Sequence, residues 1–144
     1  MEIPPENVLR HMSAEDRAKL GKAGMTADEA NDAYEAGKEK ELQSDIANLF
    51  RLRGIEFIAP PFNRKSQLPE GWPDFTFSYL GFACALEAKT GKAKARPGQM
   101  RRMVSMAQRP NCWICRVVRS LDDVRDFLSY VSDLHRQLEK TIRS

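Results

Sequence analysis

Histidine and cysteine are scarce in this 144-residue chain. There are two histidines, His11 and His135, and three cysteines, Cys84, Cys112 and Cys115. An odd cysteine count argues against a disulfide framework and points to a reducing, cytoplasmic compartment. Cys112-Trp-Ile-Cys115 is the one close pair. In a strand, residues three apart face opposite sides, so those two sulfurs would not meet. A structural zinc site wants four ligands, and no second pair exists to complete it. Zinc and thiol chemistry are therefore set aside. Long apolar runs are also missing. Nothing approaches the roughly 20 residues needed to span a bilayer, so no membrane partner is expected. The opening MEIPPENVLRH has no basic stretch followed by an apolar one, so it does not read as a secretory leader. Internal repeats and low-complexity tracts are absent as well.

Another absence is local. Between residues 89 and 119 there is no acid, against nine bases: Lys89, Lys92, Lys94, Arg96, Arg101, Arg102, Arg109, Arg116 and Arg119. Residues 1–45 have the opposite bias, with eleven acids and six bases. The formal net charge of +3 hides this polarity. A basic block of this kind attracts polyanions, nucleic acid foremost. The bland alternative is a solvated basic surface. No small-molecule substrate is indicated.

The composition, 42% hydrophobic and 30% charged, fits one ordinary globular domain. Residues 1–12 read as a loose arm. Ser13-Ala-Glu-Asp16 can start a short helix that ends at Gly21 and Gly24. Thr26-Ala-Asp-Glu29 is a capping box for a second helix, which either runs through Gly37 or breaks there. Leu42, Ile46, Leu49 and Phe50 form an apolar stripe predicting helix from about Lys38 to Arg53, with Gly54 as its cap. Ile55–Ile58 reads as a short strand. Phe75, Phe77 and Tyr79 alternate with Thr76 and Ser78, Leu80-Gly81 suits a turn, and Phe82–Ala88 is apolar enough for a central strand. A helix over Gly98–Gln108, a strand over Trp113–Val118 and a long helix from Ser120 follow. Met100, Met103 and Met106 read as core filler. The last stripe, Val124 to Ile142, is longer than one small core needs, which points to packing against a partner such as a second copy. The organisation is thus a helical arm over 1–38, a core over 39–130, and the end of the last helix over 131–144.

In a strand, Glu87 and Lys89 share a face, preceded on it by Ala83 and Ala85. If 75–80 and 82–88 pair about Gly81, Asp74 lies across from that end and two carboxylates converge. Like charges so close repel, and one takes up a proton unless a cation sits between them. Magnesium suits such a site, being held by one or two carboxylates together with substrate phosphate. The carbonyl of Ala88 offers a further oxygen, and Lys89 can orient a water or offset charge building on phosphate. Taken singly, each residue has a plain reading: Pro73-Asp74 as a turn, Glu87 and Lys89 as a solvated pair, Glu41 as a surface helix residue, Gln99 as an N-terminal helix residue.

Pro73-Asp74 followed by Glu87-Ala88-Lys89 resembles the PD-(D/E)XK nuclease motif. The surroundings, Gly71-Trp-Pro-Asp74 and Leu86-Glu-Ala-Lys89, look like the VRR-NUC branch, the virus-type replication–repair nuclease domain. Glu41 matches that branch's upstream helical Glu, with Asp45 one turn further on. Gln99 matches its Gln on the helix after the Lys. The resemblance covers roughly residues 39–130. It implies an α/β, restriction-endonuclease-like core, a mixed central sheet flanked by helices, here with extra N-terminal helices and a long C-terminal helix. It implies Mg2+ or Mn2+ and cleavage of DNA phosphodiesters, in some members of branched DNA, by small proteins that are often viral and tend to dimerise. A bacterial or phage-infected cell would be its setting. The family assigns Asp74 and Glu87 to the metal, Lys89 to the attacking water, Glu41 to an outer or second metal position, and Gln99 to a place near the Lys or the scissile phosphate. Lys92, Lys94, Arg96, Arg101 and Arg102 would then grip phosphates beside the cut, with Arg64 and Lys65 on the same surface. Two other classes compete: a nucleic-acid-binding module of the same fold that cuts nothing, and an adaptor acting through its last helix.

Overall fold

The computed structural model describes residues 26–60 and 68–143. The arm and the short helix starting at Ser13 lie outside the described residues, as do Arg64 and Lys65. The chain divides into two compact units, 1–41 and 42–144.

In the first unit, the described residues are the opening turns of helix α1 (Ala27–Leu52). The Thr26–Glu29 capping box forms in both directions. The Glu29 N–H donates to Thr26 Oγ1 at 3.1 Å, and the Thr26 N–H donates to Glu29 Oε2 at 3.2 Å. The helix runs through Gly37 without a break. One interior glycine costs about 1 kcal/mol relative to alanine, which a well-capped helix of 26 residues tolerates.

The second unit is a sheet with helices. Its strands are β1 (Phe57–Ile58), β2 (Phe75–Tyr79), β3 (Phe82–Ala88) and β4 (Ile114–Val118), in spatial order β1-β2-β3-β4. The first three pair antiparallel and β4 joins β3 in parallel, which makes the sheet mixed. Helix α2 (Pro97–Ala107) connects the two parallel strands, and α3 (Leu121–Arg143) follows β4. This is an α/β fold with a mixed sheet flanked by helices.

The β2–β3 hairpin turns on two residues, Leu80 and Gly81, both at positive φ (51° and 86°). Two-residue hairpins favour that combination because its twist matches the strands. The turn sets the register: Tyr79 faces Phe82, Phe77 faces Cys84 and Phe75 faces Leu86. Alternation then sorts the two strands. Phe75, Phe77, Cys84, Leu86 and Ala88 join Leu42, Ile46 and Phe50 of α1 and Val124, Phe127, Leu128 and Val131 of α3 in one buried cluster. The Phe50 ring lies 4.7 Å from Phe77 and 5.8 Å from Phe75, and Phe77 meets Phe127 edge-on. Burying each such side chain is worth about 1.5–3 kcal/mol. The other face of the hairpin carries Thr76, Ser78, Ala83, Ala85 and Glu87. Helix α2 reaches this second face through Gln99, and its buried residues, Met103 and Met106, stand apart from the main cluster.

Helix α3 opens with Ser120, whose Oγ accepts the Asp123 N–H, while Asp123 Oδ2 accepts the Arg119 N–H. Beyond Val131 its apolar positions come to the surface, with Leu138 and Ile142 exposed. No helix among the described residues is long and apolar enough to cross a membrane.

A candidate carboxylate site at the end of the hairpin

Asp74 immediately precedes β2 and Glu87 sits one residue before the end of β3. The register that pairs Phe75 with Leu86 brings them opposite one another. The two carboxylates lock the strand ends reciprocally. Glu87 Oε2 accepts the Asp74 N–H at 3.2 Å, and Asp74 Oδ2 accepts the Ala88 N–H at 2.9 Å. Both therefore lie on the face away from the phenylalanine core. Glu87 is 1% exposed, and a buried carboxylate needs partners to be tolerable. Its other oxygen, Oε1, accepts Gln99 Nε2 at 2.8 Å and lies 3.6 Å from Lys89 Nζ. Lys89 is itself 6% exposed, so the Glu87–Lys89 pair is buried rather than solvated. The Lys89 N–H donates to Val118 O at 3.0 Å, holding the end of β3 against β4.

Gln99 stands in the first turn of α2 and uses both ends of its amide. Nε2 donates to Glu87, while Oε1 accepts the Arg96 N–H at 2.9 Å and so caps the helix. This second bond decides which way the amide points. The Gly71-Trp-Pro-Asp stretch packs directly on that turn. Gly71 has φ of +77°, and a Cβ there would stand 2.5 Å from the Gly98 carbonyl oxygen and 2.8 Å from its carbon. Only glycine fits, both by conformation and by space. Pro73 is buried, and the Trp72 ring meets Trp113 edge-on at 6.2 Å. Arg102 Nε adds a bond to the Glu70 carbonyl at 3.2 Å.

The structure thus brings Asp74, Glu87, Ala88, Lys89 and Gln99 together. Ala88 contributes its N–H to Asp74. Glu41 is placed differently: its side chain is 65% exposed and pairs with Lys38 at 3.4 Å. Asp45 is exposed as well. Gln43 is 7% exposed and lines a cleft of ≈ 710 Å³ together with Ser44, Asn48, Arg51, Asp74 and Phe75. Glu39, one turn before Gln43, lies on the same helix face, whereas Glu41 points about 200° away from Glu39. Gln43 carries no motif signal in the sequence, although the spacing Gln43–Ala47 already puts it beside the apolar stripe. Among the described residues, two buried side-chain atoms have no hydrogen-bond partner, Gln43 Oε1 and Trp72 Nε1.

The basic block resolves into different roles. Lys92, Lys94, Arg96 and Arg101 are exposed around the start of α2. Arg116 instead stacks over Phe127 and Tyr130 of α3, at 5.2 and 5.3 Å from the ring centroids. Arg119 Nη1 ties the Gly91 carbonyl at 3.1 Å. All three cysteines are free. Burial pushes the Cys84 thiol up to about 12, with Cys115 nearby adding to the shift, and burial raises Cys115 too.

The donors gathered at this site are carboxylate and amide oxygens with one ammonium beside them, a set able to hold a hard cation and face a phosphate. No protein-family model, curated protein or solved structure matches this chain.

Proposed function

We propose that the protein is a divalent-metal-dependent endonuclease of the PD-(D/E)XK type, close to the VRR-NUC branch, hydrolysing DNA phosphodiesters with a preference for branched or junction DNA. One observation carries this reading. Asp74 and Glu87 converge on one face of the sheet, beside a buried lysine, in the order that the motif prescribes.

The donor set fits Mg2+ or Mn2+. It consists of oxygens, and hard cations take oxygen ligands. Asp74, Glu87 and the Ala88 carbonyl would hold the ion. When bound, such a cation makes a coordinated water more acidic and offsets phosphate charge. The chain's own residues do the rest. Gln99 and the Asp74 N–H fix the Glu87 carboxylate in one orientation. Lys89, held by burial next to Glu87, presents its ammonium to charge building on the phosphate. Lys92, Lys94, Arg96 and Arg101 grip the backbone on either side, which positions DNA without reading its sequence. The resemblance assigns Glu41 of helix α1 to an outer or second metal position, and Glu41→Gln tests that assignment.

A homodimer through the exposed end of α3 and a cytoplasmic setting belong to the same reading. The test is cleavage of a panel (duplex, single strand, flap, splayed arm, four-way junction) under Mg2+ and under Mn2+, by the wild-type chain and by Asp74→Asn. Metal-dependent cutting by the wild type alone is expected. If both chains bind DNA and neither cuts any member of the panel, the protein is a binding module of this fold instead.

A further inference from the structure

Gln43 is one of two buried side chains among the described residues with a polar atom that meets no partner. It is more than nine-tenths buried, yet its Oε1 meets no donor. A buried acceptor left unmet is unfavourable, and folded chains leave very few. Packing does not require an amide here: the same helix face continues with Ala47, and its neighbours Leu42, Ile46 and Phe50 are apolar. A methionine would fill the same length with no polar atom to satisfy. The chain instead carries an amide oxygen that no donor among the described residues meets.

The position of the group says what would use it. Gln43 and Asp74 line one cleft. Asp74 commits Oδ2 to the Ala88 N–H. Both Glu87 oxygens already accept N–H donors, Oε2 from Asp74 and Oε1 from Gln99. An unmet carbonyl oxygen in a cleft that Asp74 also lines is a neutral donor for a hard cation or for one of its waters. We infer that the Gln43 amide oxygen is a neutral ligand of the carboxylate site, reaching the cation directly or through one water. This rests on the metal-dependent reading above and adds a residue that the motif does not assign.

Gln43→Met and Gln43→Glu separate this role from a structural one. Binding of Mn2+ to the 144-residue chain without DNA is followed by the loss of the free-ion electron paramagnetic resonance signal, and unfolding is followed by thermal melting without metal. Gln43→Met is expected to melt no lower than wild type, because it removes an unsatisfied acceptor, yet to bind Mn2+ about tenfold more weakly or worse. Gln43→Glu, which keeps an oxygen there, is expected to retain binding within a few-fold. A Gln43→Met chain that binds Mn2+ as tightly as wild type overturns the inference while leaving the metal-dependent reading intact. A Gln43→Met chain that melts well below wild type also overturns it, since the amide would then be structural. If the wild-type chain takes up no Mn2+, the underlying reading falls and this inference falls with it.

Discussion

Asp74 donates its backbone N–H to the side chain of Glu87, and Asp74 in turn receives the N–H of the residue after Glu87. Two carboxylates so placed fasten the ends of β2 and β3 and leave lone pairs over for a cation. The same pairing serves folding and the proposed chemistry, so substitutions here act on both.

Lys89 shows the double effect most clearly. It and Glu87 are both buried at 3.6 Å. Removing one partner of a buried pair leaves the other uncompensated, at a cost of about 3–5 kcal/mol. Lys89→Met is therefore expected to lower stability by an amount in that range, read by urea denaturation. Under the proposed function it is also expected to abolish metal-dependent cleavage where the variant is still folded. A variant as stable as wild type would mean that Glu87 is adequately held by Asp74 and Gln99 alone.

Gln99 spans the site and the helix cap. Gln99→Leu removes a hydrogen bond to a carboxylate and a bond to a helix-end N–H. Together these are worth about 2–4 kcal/mol. Gln99→Glu keeps the acceptor for Arg96 but sets a second carboxylate against Glu87. Denaturation should rank wild type above both, and raising the pH from 4 to 7 should destabilise Gln99→Glu relative to wild type as the new carboxyl ionises beside Glu87.

Gly71 admits no side chain. A methyl group would meet the Gly98 carbonyl, which is backbone and has no rotamer to yield. Gly71→Ala is expected to cost at least about 2 kcal/mol, from the left-handed conformation and from the displaced first turn of α2. Because that turn carries Gln99, the cleavage expected under the proposed function should fall further than the loss of folded protein explains. Activity per folded molecule, from parallel circular dichroism and cleavage assays, checks this.

Cys84 gives a pH prediction with a definite sign. Its folded-state value is raised from 9.0 to about 12. Between those values the unfolded chain gives up its thiol proton and the folded chain keeps it, so the thiol's contribution is complete below pH 9 and is lost as pH rises toward 12. Replacing Cys84 by Ala should flatten the fall of stability across that window. An identical alkaline slope in the two chains would show that the thiol is not shielded.

Under the proposed nuclease reading, DNA binding weakens steeply with salt. Removing one phosphate-gripping charge should reduce the log–log slope by about 1. Lys92→Ala, Lys94→Ala and Arg101→Ala are expected to do so singly. Arg116→Ala, whose guanidinium is stacked on Phe127 and Tyr130, should leave the slope unchanged and lower stability instead. Fluorescence anisotropy across a salt series distinguishes the two behaviours.

Local signals settled much of this protein. The alternation of Phe75, Phe77 and Tyr79, the Leu80-Gly81 turn and the apolar stripes of α1 and α3 follow from residue periods of 2 and 3.6, which need no partner to be read. Because a strand's faces are fixed by parity, the turn at Gly81 by itself puts Asp74 across from Glu87. Three things depended on packing. Gly37 passes inside α1 because a long, capped helix with a buried face outweighs one weak position. Arg116 leaves the basic surface because α3 offers it two rings, an interaction between elements that charge counting does not register. Gln43 and Gly71 gain their meaning from what stands opposite, a cleft shared with Asp74 and the backbone of Gly98. Sequence spacing determines which side of an element a residue occupies, and tertiary structure alone determines what that side meets.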